Sequence, residues 1–125
     1  MLVELDSLRE RLCASLCANV ELHQRPDGLV SVVTPFTFAD GDTYALFLKR
    51  LPSGGLRLTD MGTTLMHMSY EMDVDRLREG TRVGIWTQVL AQHGVHEDDG
   101  EMYIDAAPGE LGGALIRLGR ALTQL

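Results

Sequence analysis

The stretch from Val33 to Met68 constrains the fold more than any other part of the chain. It reads V-V-T-P-F-T-F-A-D-G-D-T-Y-A-L-F-L-K-R from Val32 to Arg50, then a Pro-Ser-Gly-Gly turn, then L-R-L-T-D-M-G-T-T-L-M-H-M. Pro35 cannot donate to a sheet ladder and marks a strand end or an edge. Asp40-Gly41-Asp42 is a turn, because glycine accepts the backbone angles that other residues resist. Thr43 to Lys49 alternates, with Tyr44, Leu46 and Leu48 on one face and Ala45, Phe47 and Lys49 on the other. Both faces are largely apolar, which predicts a central strand. Pro52-Ser53-Gly54-Gly55 reverses the chain, and Leu56 and Leu58 share one face of a short returning strand. Thr59 and Asp60 end it, and either side chain can cap the helix that follows by accepting from its unpaired amides.

The flanking segments supply the remaining elements. Leu2, Leu5, Leu8, Leu12 and Leu16 recur every three or four residues, the stripe of an amphipathic helix over about 2–18. That stripe is expected to cover a face of the sheet. Cys13 and Cys17 share a side of the same helix and are expected to be buried thiols. They lack the ligand set of a zinc site. Val20 to His23 and Leu29 to Thr34 predict two strands about the turn Pro26-Asp27-Gly28. Val83, Trp86, Val89 and Leu90 stripe a helix within 77–93, and Gly94 suits its C-terminal cap. A hairpin turning at Asp99-Gly100 follows. Leu111, Leu115, Leu118 and Leu122 stripe a last helix. The sum is a single α+β domain over residues 1–125. Its mainly antiparallel sheet has about five to six short strands, packed by an N-terminal, two central and a C-terminal helix.

Charge narrows the function classes. The chain has 18 acidic and 11 basic residues in 125, a net charge of -7. Phosphate recognition wants a basic face, so direct nucleic-acid binding is disfavoured. A basic protein surface is a better match. No apolar run reaches the ~18–20 residues of a membrane span, and the start lacks a basic leader, so a cytoplasmic protein is expected. No cofactor is expected.

The ordered run T-P-F, D-G-D, a hydrophobic strand and L-T-D-x-G-x-T-L resembles the domain of unknown function 1828 family. Arg76-Leu77, the helix ending H-G-V and the small acidic hairpin fit the same pattern, over roughly residues 20–105. Met61 stands where the family's T-D-D-G version carries an acid. The resemblance implies a small bacterial or phage protein of a mobile element and brings no catalytic residue with it.

Two sets of side chains are candidates for function. Asp40, Asp42 and Asp60 come from turns that an antiparallel pairing brings to one end of the sheet. Converging carboxylates bind hard divalent cations. With His67 as a base seven residues past Asp60, Asp42 and Asp60 sketch a metal-dependent nuclease or hydrolase. Turn and cap roles account for the same aspartates without chemistry. Glu97, Asp98, Asp99 and Glu101 instead form an acidic hairpin tip suited to a basic partner. The reading favoured is a non-enzymatic acidic binding module that meets a host or phage protein. Occupying the nucleic-acid-binding surface of a CRISPR effector, an anti-defence role, is the specific case. A structural homodimer through the C-terminal helix at 111–122 is a further alternative.

Overall fold

A computed structural model describes residues 2–37, 41–68 and 81–124. The elements run α1 (Leu2–Ala18), β1 (Glu21–Gln24), β2 (Val30–Val33), β3 (Leu46–Arg50), β4 (Leu56–Thr59) and α2 (Thr63–Met68). They continue with α3 (Thr81–Gln92), β5 (His96–Asp98), β6 (Glu101–Ala106), a 3-10 turn (Pro108–Glu110) and α4 (Leu111–Gln124). All strands join one antiparallel sheet in the order β1-β2-β3-β4-β6-β5, giving an α+β fold.

The turns set this topology. Gly28 and Gly54 have φ of +88° and +90°, a region that costs glycine little. The β1–β2 turn is closed by the Arg25 amide donating to the Leu29 carbonyl at 2.9 Å. Asp27 also accepts from the Leu29 amide at 3.1 Å. Between β3 and β4, the Leu51 amide donates to Gly55 at 2.9 Å, and Phe47 then stands opposite Thr59. The expected antiparallel meeting of these two strands is therefore present. β6, rather than a sequential neighbour, lies on the far side of β4, with Leu58 opposite Ile104.

Registers sort the side chains onto two faces. Val32, Leu46, Leu58, Met102, Ile104 and Ala106 share one face and are buried. Ala114, Leu118, Ala121 and Leu122 of α4 complete this core, with Leu65, Leu90 and Val95. Gly119 lets α4 approach closely, since a Cβ there would lie 3.2 Å from the Phe36 ring. Trp86 and Val89 of α3 pack against the same core, and Gly94 at φ +68° ends that helix as expected. Its cap is the Val95 amide donating to the Leu90 carbonyl at 2.9 Å.

The N-terminal helix departs from expectation. Leu5, Leu8, Leu12 and Leu16 are 58–62% exposed, so the stripe covers no face of the sheet. Cys13 and Cys17 are exposed free thiols rather than buried ones. Periodicity defines an apolar face without saying what lies against it. Here α4, not α1, takes the sheet's apolar face. Among the described residues no helix is long and apolar enough to cross a membrane.

Candidate functional site

The segment Thr59 to Thr64 joins β4 to α2 and is the most enclosed polar stretch among the described residues. Thr59, Asp60 and Thr64 are all buried, Asp60 with 0% exposure. Thr59 and Asp60 each have a short side chain that can fold back on the next amides. Thr59 Oγ1 accepts from the Met61 amide at 2.9 Å, and Asp60 Oδ1 accepts from the Gly62 amide at 2.8 Å. The Thr63 hydroxyl lies 2.7 Å from the Asp60 carbonyl and 3.2 Å from that of Ala45, holding the turn to the start of β3. Met61 and Gly62 both take positive φ, +50° and +80°. A left-handed methionine is strained, while Asp and Asn tolerate this region. The acid at this place in the T-D-D-G pattern has a conformational explanation without catalysis.

Asp60 also reaches across the sheet. Its Oδ1 accepts a second bond, from the Met102 amide at 2.9 Å, and its own amide donates to the Met102 carbonyl at 3.1 Å. One carboxylate oxygen thus fixes the α2 turn and the root of the β5–β6 hairpin together. The other oxygen, Oδ2, is buried without a hydrogen bond of good geometry. The Thr64 hydroxyl and amide nonetheless favour the charged form. Burial is the larger influence and raises the Asp60 pKa above its ordinary value, against the lowering effects of the Met102, Gly62 and Thr64 donors.

This arrangement bears on the metal reading. Asp42 is exposed, at the same end of the sheet, whereas the Asp60 carboxylate is enclosed and aimed at backbone amides. Among the described residues no three His, Cys, Asp or Glu side chains are placed to hold a metal ion. Asp40 and the side chain of His67 lie outside the described residues. The backbone of His67 is part of α2.

The acidic hairpin stands beside the same turn: a Cβ on Gly62 would sit 3.9 Å from the Gly100 carbonyl. Asp99 and Gly100 have φ of +49° and +89° between the opposed pair Asp98 and Glu101, a two-residue hairpin loop. Glu97 Oε1 accepts from the Gly100 amide at 2.9 Å and so shapes the tip. Glu97, Asp98 and Asp99 are exposed and Glu101 is half-buried. Asp98 and Asp99 have no ion-pair partner among the described residues. Like charges directly opposed across two strands destabilise by roughly 0.2–1 kcal/mol. Beneath the tip, the Arg57 guanidinium grips Asp105 at 2.8 and 3.1 Å and lies 3.9 Å over the Tyr103 ring. Sequence reasoning found the hairpin and the turn roles of Thr59 and Asp60, and missed the bond that Asp60 accepts from Met102. A contact spanning 42 positions leaves no local pattern.

Fold and site together define a small α+β protein whose buried acid is committed to backbone amides and whose exposed acids crowd one turn. Residues 34–125 match the family model described as Domain of unknown function DUF1828, and the chain belongs to that family. The matched region begins just after β2 and takes in α4, so it starts later and runs further than the motifs alone indicate. No curated protein and no solved structure matches the chain.

Proposed function

We propose that the protein is a non-enzymatic binding module that presents the 97–101 hairpin to a basic surface on another protein. The observation that carries this reading is the tip itself. Exposed carboxylates at Asp98 and Asp99 stand beside Glu97 and Glu101 on a two-residue turn, with a buried aspartate bonded to the root of the hairpin at Met102. Such a patch steers association with a positively charged partner and favours it over acidic ones. A net charge of -7 acts in the same direction. A protein surface that ordinarily binds nucleic acid has the required sign, and blocking one is the anti-defence version of this reading. The metal-dependent nuclease alternative needs Asp60 open to an ion, and its carboxylate is enclosed. The homodimer through 111–122 would have to use Ile116 and the exposed glycines, because Leu118 and Leu122 belong to the core.

The test compares wild type with Asp98→Asn/Asp99→Asn and with Asp98→Lys. Partners captured from host lysate are identified, and their affinities are measured over a salt series. The Asn pair is expected to weaken binding by about tenfold and to flatten the salt dependence, from roughly 0.5–1 kcal/mol per exposed charge. Unchanged affinity in both variants would reject the hairpin as the contact.

A further inference from the structure

α1 is a 17-residue helix whose apolar stripe faces solvent. Isolated helices shorter than ~12–15 residues are marginal in water, and in proteins most helical stability comes from packing an apolar face. Its C-terminus is closed by the Asn19 side chain donating to the Ser15 carbonyl at 2.8 Å, which is too little to hold the whole helix. The spacing of the stripe says what kind of surface would cover it. Placing Leu5 at an a position puts Leu8 at d, Leu12 at the next a and Ser15 at the next d, with Leu16 continuing the apolar edge. Glu4 then falls at g and Arg9 at the following e, the two positions that face each other across a parallel two-stranded coiled coil. Neither forms an ion pair among the described residues.

We infer that α1 is a self-association surface: the helices of two copies pack in parallel through Leu5, Leu8, Leu12 and Leu16. Glu4 of each copy pairs with Arg9 of the other. An antiparallel pairing centred on the leucines sets each flank against its own kind, Arg9 by Arg9 and Arg11 by Arg11, and loses this complementarity. The available area is modest. Four leucines offer on the order of 100 Å² each, ~800 Å² for the pair before flanking methylenes, below the ~1,200 Å² of a standard stable interface and of the size of a weak, transient one. Leu22, exposed on the neighbouring edge strand, can extend it. The dimer is accordingly a micromolar one. The surface lies before residue 34, outside the region shared with the family. It does not depend on the acidic hairpin.

Sedimentation equilibrium of the full chain tests the inference. Wild type at ~100 µM should run at twice the 13.8 kDa chain mass, as a micromolar Kd requires. Leu8→Lys/Leu12→Lys should weaken association by at least ~100-fold, since each copy loses two buried leucines. The near-ultraviolet signal of Trp86 should stay native, because these leucines touch no part of the core. Arg9→Glu should weaken the dimer by about tenfold, and Glu4→Arg/Arg9→Glu should restore it. Ser15→Cys in a Cys13→Ser/Cys17→Ser background should form an intermolecular disulfide, since d positions meet in parallel helices. A monomeric wild type, or a dimer indifferent to the leucine changes, overturns the proposal. Failure of both the charge swap and the disulfide overturns the parallel arrangement.

Discussion

Replacing Asp60 by alanine and by asparagine separates the two things its carboxylate does. Alanine removes the acceptor for the Gly62 and Met102 amides, at 2.8 and 2.9 Å. Met102 is fully buried and Gly62 is half-buried, so water replaces little of what is lost. An orphaned buried amide costs about 1–3 kcal/mol, and shedding a buried charge recovers part of this, leaving Asp60→Ala destabilised by about 2–4 kcal/mol. Asparagine keeps one accepting oxygen for the Gly62 and Met102 amides and replaces the buried Oδ2, which has no hydrogen bond, by an NH2 group. It also cancels the desolvation that raises the Asp60 pKa above 3.8. With a raised folded-state pKa, the native protein holds this proton more tightly than the unfolded chain does. The stability contributed by Asp60 is therefore full below its unfolded pKa and is lost as pH rises through the folded value. Asp60→Asn lacks that loss. Its stability relative to wild type should climb from about pH 4 upward, by at most ~1.4 kcal/mol per pH unit, and then level off. Urea unfolding of the three proteins between pH 4 and 8 measures each quantity. An asparagine variant that loses ground as pH rises would refute the reasoning, because it would mean that the Met102, Gly62 and Thr64 donors outweigh burial and hold the carboxylate charged.

Two further substitutions probe the backbone. Gly113→Ala, on the open side of α4, should stabilise by about 1 kcal/mol through helix propensity. Gly119→Ala should lose that gain or reverse it, because its Cβ meets the Phe36 ring at 3.2–3.3 Å. Equal stabilisation in thermal melts would show that Phe36 yields freely. Met61→Asn should raise stability by roughly 0.5–1 kcal/mol by relieving the left-handed methionine at φ +50°. A fall in chemical unfolding midpoint would mean that Met61 packs in a way its 42% exposure does not suggest.

What could be read from the sequence was local. Pro26-Asp27-Gly28, Pro52 to Gly55 and Asp99-Gly100 announce their hairpins because few residues satisfy those backbone angles, and all three turns are present. Tyr44 and Leu46 are buried as their alternation implies, and Phe47 on the opposite face is buried as well. The turn bonds of Thr59 and Asp60 were legible for the same reason, since they join residues two apart, although the amides they hold belong to Met61 and Gly62, ahead of α2. The insertion of β6 beside β4 was not, because it depends on which strand edge is left when the chain returns. The fate of the α1 leucines and of Cys13 and Cys17 was likewise invisible. A repeat of three and four residues gives a helix its apolar side and is silent about the neighbour that side meets.

The strand order leaves the sheet with two unlike ends. β5 is three residues long and carries Glu97 and Asp98, so a second sheet arriving there finds a short ladder and meets repulsion. β1, at the other end, bears Leu22 and adjoins α1. With the β5 margin repellent, a ribbon has only the β1 margin by which to grow. Whatever joins at the β1 side uses it up on both copies, so growth halts at a closed pair rather than a fibre.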